Sequence, residues 1–295
     1  MTRALSTHLF VAHRLTTVWL DRIWDAGIPL CEIFCARQHF DYRDRAQIAE
    51  LGHWFRDSEL KLHSLHSPMF SDDVWGRTGP DAVINLTEPV KHKRLRMLDE
   101  IKRALDVAEL VPFRFLVQHL GVFGEEYDER KIDSAFAALE ELSLFARQRG
   151  VEVLLENTPN KLSSAERLLL FLEATHMDLN VCLDTGHAHM NEGVETAFRL
   201  LKSRIRSTHV HDNNGKDDSH LFPLAAAPDG PASDGLANDS EDRGTIDWKQ
   251  TMTALRSLDS ACPLLLELKA VPQMASPFQS ARECFERLES IASNE

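Results

Sequence analysis

The stretch Cys182-Leu-Asp-Thr-Gly-His-Ala-His-Met190 sets an aspartate and two histidines directly after the apolar positions Leu179, Val181 and Leu183. The same arrangement recurs along the chain. Short apolar runs end at His66, at His119, at Glu156 and at Asp184, with His187 just beyond Asp184. Two more end at His209 and His211, followed by Asp218 and His220, and at Glu267. Any one such residue is more often a solvated strand end than a ligand. Six successive runs that each deliver His, Asp or Glu at the same level form a set, and imidazoles and carboxylates are the donors of divalent-metal sites. A buried carboxylate is costly unless it is paired or metal-bound. Glu156 and Glu267, each following an apolar run, therefore call for a cation, with a salt bridge inside the core as the bland alternative.

Eight short runs rich in Leu, Val, Ile or Phe could position these residues: Leu5–Val11, Leu30–Phe34, Leu60–Leu65, Phe113–Gln118, Val151–Leu155, Leu179–Leu183, Ile205–Val210 and Pro263–Leu268. That texture suits strands buried on both faces. Helical periodicity fills the intervals at Thr16–Asp25, Glu129–Arg149, Ser164–Ala174, Val194–Lys202, Asp247–Leu258 and Pro277–Ser293, with Ser163-Ser-Ala-Glu166 resembling a capping box. Strands alternating with helices imply a parallel sheet, and eight such units imply a closed (β/α)₈ TIM barrel, an α/β fold formed by residues 1–295 as a single domain. An open doubly wound sheet is the alternative, but no GxGxxG loop follows the first run. Strand alternation puts His209 and His211 on one side, and His66 with Ser64, leaving His63 facing the other way.

Two connections are long: Ser67–Pro89, with Phe70 and Trp75, and Leu224–Arg243, a small, acidic segment rich in Gly and Pro whose composition is that of a flexible loop insertion. They follow strands three and seven, so they are expected over the barrel's catalytic mouth, where Trp75 or Phe70 could close on a ligand. The net charge is −13, with acids spread along the chain, which repels phosphate backbones and counts against a nucleic-acid partner. Five cysteines without a CxxC pair suit free thiols in a reducing compartment. No run approaches a membrane span and no signal-type segment opens the chain, so a soluble, cytoplasmic protein with no membrane partner is expected. A homo-oligomer is left open.

The motifs Leu-Leu-Glu156-Asn-Thr-Pro, Cys182–Met190, Thr-His209-Val-His211-Asp-Asn-Asn-Gly-Lys-Asp-Asp218-Ser-His220, Gly244-Thr-Ile-Asp-Trp and Leu-Leu-Leu-Glu267-Leu-Lys, with Cys31-Glu-Ile-Phe-Cys-Ala-Arg-Gln-His-Phe-Asp41, resemble the xylose-isomerase-like barrel superfamily over nearly the whole chain. That superfamily holds sugar and sugar-phosphate isomerases and epimerases alongside endonuclease IV. The epimerase branch implies one divalent metal on Glu156, Asp184, His209 and Glu267. The two glutamates would double as acid and base on a metal-chelated ketose or aldose, and His187 would act on a substrate oxygen or phosphate. The endonuclease branch implies up to three zinc ions on His66, His119, Glu156, Asp184, His187, His209, Asp218, His220 and Glu267, and all nine positions carry an acceptable ligand type. One departure stands out: the family runs from His-Leu-x-Pro straight into Gly-x-Gly-x-Ile-Asp, whereas here the 224–243 segment intervenes and the first glycine of the pair is missing.

The expected activity is therefore isomerisation or epimerisation of a small sugar or sugar phosphate. The alternative is a zinc-dependent phosphodiesterase or abasic-site endonuclease, and a metal-binding barrel without catalysis ranks third. Arg37, His39 and His211 are candidate substrate contacts. A carboxylate-rich four-ligand site suits Mn²⁺, Mg²⁺ or Co²⁺, and the additional histidines tilt it toward Zn²⁺.

Overall fold

The computed structural model describes residues 1–224, 244–271 and 274–291. It is a parallel eight-stranded barrel. The strands are β1 (Arg3–Ser6), β2 (Leu30–Phe34), β3 (Lys61–His66), β4 (Phe115–His119), β5 (Glu152–Glu156), β6 (Asn180–Asp184), β7 (Ile205–His209) and β8 (Leu264–Leu266). They follow one another in the order β7-β6-β5-β4-β3-β2-β1-β8. The ring closes between β7 and β8 at the bridge of Val210 with Leu266, where the Val210 amide donates to the Leu265 carbonyl at 2.8 Å.

The helices are α1 (Thr17–Asp25), α2 (Arg45–Asp57), α3 (Lys91–Leu105), α4 (Glu129–Arg147), α5 (Ala165–Thr175), α6 (Thr185–Met190), α7 (Val194–Leu201), α8 (Trp248–Arg256) and α9 (Pro277–Ile291). Side-chain caps fix several starts: Asp44 accepts from the Ala46 and Gln47 amides at α2, Asp128 from Arg130 at α4, and Asp247 from Gln250 at α8. At α5 the cap is Ser164 rather than Ser163, so Glu166 falls at the second helical position, Arg167 at the third, and the expected capping box does not form; the Ser163 hydroxyl instead donates to Asn160. No helix among the described residues is long and apolar enough to cross a membrane.

Outward-facing strand residues such as Leu116 and Leu155 join the layer packed under the helices, while Phe115, Val117, Leu154 and Cys182 fill the barrel interior. That alternation carries His119, Glu156 and Asp184 inward at the C-terminal mouth. Two expectations change. The apolar run Leu5–Val11 is a strand only to Ser6 and then a tight 3₁₀ turn over Thr7–Phe10, because Leu9 and Phe10 bury themselves in the helix-facing layer rather than along the barrel. His63 does not face away either. The β2–β3 register jumps from Leu62 to Ser64, and the extra residue turns His63 against Ser207 at 3.3 Å and Phe115 at 5.2 Å between ring centres.

The long connection after β3 folds back over the mouth through a bridge of Phe70 with Val83. Of the expected 224–243 insertion, residues 225–243 lie outside the described residues.

Candidate metal centre

Donor atoms from six strands converge at the mouth in a chamber closed almost entirely to solvent: Glu156, Asp184, His209 and His211 are fully buried, and His66 and Glu267 nearly so. His209 stands at the centre. Its Nδ1 lies 3.1 Å from Glu156 Oε1, 3.3 Å from Glu267 Oε2 and 4.0 Å from Asp184 Oδ2. One imidazole nitrogen carries at most one proton and cannot satisfy three carboxylates. The second Glu267 oxygen, Oε1, is buried with no hydrogen-bond partner. Carboxylates crowded around one nitrogen, with an orphaned oxygen among them, are what a divalent cation would resolve.

A second group adjoins the first through Glu156. Glu156 Oε2 lies 3.0 Å from His119 Nε2 and 3.5 Å from His66 Nε2, and the two imidazole nitrogens are 3.2 Å apart. Donors bonded tetrahedrally to zinc at about 2.0–2.1 Å stand roughly 3.3 Å from one another, so this triangle has the dimensions of a ligand set. A third group surrounds Asp218, whose Oδ2 lies 3.2 Å from His187 Nε2 and 3.3 Å from His220 Nε2.

The outer contacts of the histidines carry the strongest sign of a metal. His66 Nδ1 donates to the Ser67 carbonyl at 2.9 Å, His187 Nδ1 to Asn157 at 3.0 Å and His220 Nδ1 to Glu267 at 3.0 Å. A carbonyl only accepts, so each ring is held with Nδ1 protonated and Nε2 turned to the chamber. His209 is reversed: Nε2 meets Glu32 Oε2 at 3.1 Å and Nδ1 faces inward. Metal-ligating histidines are fixed in this manner, by a carbonyl or carboxylate on the far nitrogen.

Charge follows the same logic. Burial pushes the Glu156 carboxyl up, but His209 and His119 outweigh it and hold the group well below the usual carboxylate range. Asp184 is likewise lowered, with burial overcome by His187 and His211. Burial disfavours charge on His187 and His209, yet the surrounding acids raise both well above an ordinary histidine. The acids thus favour positive charge on His187 and His209, as they would favour a cation.

Local backbone chemistry builds this arrangement. Asp184 ends β6 and caps α6 by accepting from the His187 amide at 2.7 Å, which throws His187 back over the chamber. Asn157 clamps both ends of Asp184, accepting from its amide at 2.8 Å and donating to its carbonyl at 2.9 Å. Gly186 lets His211 approach: a Cβ there would lie 2.0 Å from His211 Cε1. The Gly244-Thr-Ile-Asp-Trp motif docks in the same way, since a Cβ on Gly244 would meet the Asp212 carboxylate at 2.1 Å, and Asp212 accepts from the Ile246 amide and the Trp248 indole.

Above the chamber lies a cavity of ≈ 620 Å³ whose wall includes His66, His119, His187, Asp218, His220 and Glu267. The structure thus gathers all nine residues of the widest expected ligand set. His211 adds a tenth donor, with Nε2 3.1 Å from Asp184 Oδ2; it is fully buried beneath His220 and does not line the cavity. His39 is not brought there: it is fully buried, with Nδ1 near the His13 carbonyl and Nε2 3.0 Å from the Thr7 hydroxyl. Arg37 is held by Asp41 at 3.2 Å and the Ser71 carbonyl at 3.1 Å, and their neighbour Gln38 lines the cavity instead. Trp75 lines it too, stacked on Phe34 at 5.5 Å, which in turn stacks on His66 at 4.3 Å. Sequence reasoning passed over Glu32, Asn157, His8, Arg77 and Lys269. For Glu32 a signal existed: an acid in the middle of the apolar strand Leu-Cys-Glu-Ile-Phe.

The family model for the xylose isomerase-like TIM barrel matches residues 20–291. A probable endonuclease 4 from Natronomonas pharaonis is 28% identical over 191 residues, covering 60% of this chain and 60% of that protein. The chain spans 57%, 60% and 45% of the lengths of the first three curated relatives it matches. An L-ribulose 3-epimerase structure shares the fold with a TM-score of 0.75 at 18% identity, covering 99% of this chain and 95% of its own. The structure of an IOLI protein with a bound zinc atom shares it at 0.69 and 15%, covering 99% and 98%. An inward ring of strand-end acids and histidines on a barrel matched over nearly its whole length leads to one conclusion: the chain belongs to the xylose isomerase-like TIM barrel family.

Proposed function

We propose that this barrel is a divalent-metal-dependent isomerase or epimerase of a sugar or sugar phosphate. The observation that carries the reading is the placement of Glu156 and Glu267, which reach His209 Nδ1 from strands on different sides of the ring at 3.1 and 3.3 Å. Glu267 lines the cavity, and its buried Oε1 has no hydrogen-bond partner. Glu156, Asp184, His209 and Glu267 would hold the ion, Mn²⁺ or Zn²⁺, with Co²⁺ or Mg²⁺ as further options. When bound, it would polarise a substrate carbonyl and acidify the neighbouring C–H.

The remaining work falls to the chain itself. Glu267 stands at the cavity wall as the base that takes the proton, and Glu156 is the partner carboxylate on the opposing side. His187 presents Nε2 at the same wall, where it can donate to a substrate oxygen. Trp75 and Met69 line the cavity, where they would shield a bound substrate from water. Arg77 and Lys269 are exposed at the cavity, without an ion pair among the described residues, and suit a phosphate on the far end of the substrate. A cavity of ≈ 620 Å³ under a surface of net charge −13 favours a small molecule over a duplex.

The test is exchange of carbon-bound hydrogen in D₂O over a panel of ketoses and ketose phosphates, followed by NMR. Exchange should require added divalent metal and fall about 10²–10⁴-fold in Glu267→Gln even at saturating metal, since this residue would both help hold the ion and take the proton. A second reading, phosphoester hydrolysis of the endonuclease type, is favoured by the three donor groups being complete together and by the probable endonuclease 4 relative. Metal-dependent cleavage of bis(p-nitrophenyl) phosphate with no hydrogen exchange on any sugar would replace the first reading with the second.

A further inference from the structure

Beside the main cavity lies a lobe of ≈ 260 Å³ with a different character. Met69, Phe70, Ile84, Val122, Phe123 and Pro159 supply its apolar wall. Met69, His119, His187 and Asp218 line both spaces, so the lobe opens beside the metal centre rather than elsewhere on the surface. Proton transfer on a small polyol has no need of such a wall, since a hydroxylated sugar carbon gains little from apolar contact.

The lobe is braced rather than accidental. Its walls come from the loops after β3, β4 and β5, and buried polar side chains tie these together. Glu125 accepts from Asn85 at 2.9 Å and Thr87 at 2.8 Å on the first loop, and from the Val122 amide at 2.8 Å on its own. Asn160 donates to the Leu120 and Val122 carbonyls, both at 3.1 Å, locking the second loop to the third. Phe123, which also lines the lobe, remains 65% exposed at its rim and so continues the apolar wall outward. Gln118, only 3% exposed, also lines the lobe. Its Nε2 donates to the His119 carbonyl at 2.8 Å, which fixes the amide orientation and leaves Oε1 without a partner.

We infer that this lobe is a subsite for a flat apolar substituent carried by the substrate, so that the enzyme acts on a sugar bearing an aromatic or similar group rather than on a free monosaccharide. The inference rests on the proposed sugar chemistry only for which part of the ligand sits at the metal. Aromatic rings fill such a space with little entropy loss, and a donor group on the ring would meet the unpaired Gln118 oxygen.

Phenyl β-D-glucopyranoside and methyl β-D-glucopyranoside serve as probes, titrated calorimetrically into the metal-loaded and the chelator-treated chain. The phenyl compound should bind at least about tenfold more tightly than the methyl compound. Val122→Arg, which fills the lobe, should abolish that advantage, and Phe123→Ala at the exposed rim should reduce it about threefold without disturbing the fold. Equal binding of the two glycosides, no binding of the phenyl glycoside, or an advantage that survives Val122→Arg would each overturn the subsite. The phenyl advantage should persist without metal, whereas failure of the isomerase reading would appear only as absent hydrogen exchange.

Discussion

Glu32 Oε2 and His209 Nε2 lie 3.1 Å apart inside the barrel, both fully buried, with the Ser64 hydroxyl donating to the same carboxylate oxygen at 2.8 Å. Glu32 lines neither the main cavity nor the lobe beside it. It fixes the ring of His209 and makes the opposite nitrogen a better donor to a cation. Glu32→Gln should therefore weaken divalent-metal affinity about 10–100-fold while leaving hydrogen-bond geometry possible. A chelator-competition titration reads this directly, and an unchanged affinity would reduce Glu32 to a packing role.

Gly186 makes the corresponding point for His211. The methyl group of Gly186→Ala would overlap the imidazole ring, whose Cε1 lies 2.0 Å from the added Cβ. The ring cannot retreat freely, since Asp184 holds Nε2 at 3.1 Å and His220 stacks on it at 4.1 Å. The variant should lose about 1–3 kcal/mol of stability, as overpacked interiors do, and lose metal affinity with it. Denaturant midpoints with and without metal separate the two effects. Wild-type metal affinity in this variant would mean that His211 is no part of the donor set.

The histidine charges set a pH signature for the metal-free chain. Burial opposes charge on His220, but Asp218 at 3.3 Å outweighs it and lifts the imidazolium to about 9. A group whose folded pKa is raised stabilises the fold fully below its ordinary value of about 6.5 and ceases to do so as pH rises through the raised one. Metal-free protein should therefore lose thermal stability between pH 6.5 and 9.5. His39 and His63, pushed down to about 4 by burial, act in the opposite sense and only below that window. Metal binding requires neutral imidazoles, so the increment in Tm on adding Zn²⁺ or Mn²⁺ should grow over the same range. Scanning fluorimetry at each pH, with and without chelator, measures both slopes. A flat profile for the metal-free chain would remove the charged-histidine account.

Trp75 gives the mouth a reporter. It sits on the connection after β3, in a left-handed backbone conformation at φ 57°, and its indole extends the stack of Phe34 on His66. If this residue covers the bound substrate, Trp75→Ala should raise KM several-fold with a smaller change in kcat. It should also erase a ligand-induced change in tryptophan emission. A fall in kcat alone, with KM and emission response intact, would place Trp75 in support of His66 rather than over the ligand.

The barrel was legible because strands buried on both faces leave continuous apolar runs, and Leu30–Phe34 appears as a strand with the expected limits. The site was legible for a related reason: ionisable residues at strand ends break those runs where burial would otherwise continue. What escaped followed from tertiary geometry. Nothing in the order Leu-His-Ser-Leu-His announces a bulge, so His63 turned inward unforeseen. Glu32 stood out as an acid inside an apolar strand, but its role did not, because its partner His209 lies on a distant strand and only the closed barrel brings the two together. Arg37 and His39 failed to reach the cavity because loop residues follow no period, and their neighbours Asp41 and Thr7 engage them first. The helices α2 and α3 lie in strongly charged stretches where the apolar spacing gave no clear limits.

The number of metals bound decides between the two chemistries. Glu156 belongs to both the His66–His119 triangle and the four-residue group around His209, so the same carboxylate would serve an ion in either group. If the protein is an isomerase or epimerase, one ion suffices. In that case His119→Ala should retain one tight metal per chain and exchange activity within about tenfold of the parent, because all four residues around His209 remain and Glu156 loses only its contact with His119. If hydrolysis is the reaction, the nucleophile and the leaving oxygen need ions on both sides of the phosphorus. Elemental analysis would then find two or three zinc ions per chain, and His119→Ala would lose one of them together with nearly all phosphodiester cleavage. Measuring metal content and both activities on the same preparations makes the outcomes exclusive: sugar exchange that survives the loss of His119 supports the single-ion reading, and phosphodiester cleavage that disappears with it supports the other.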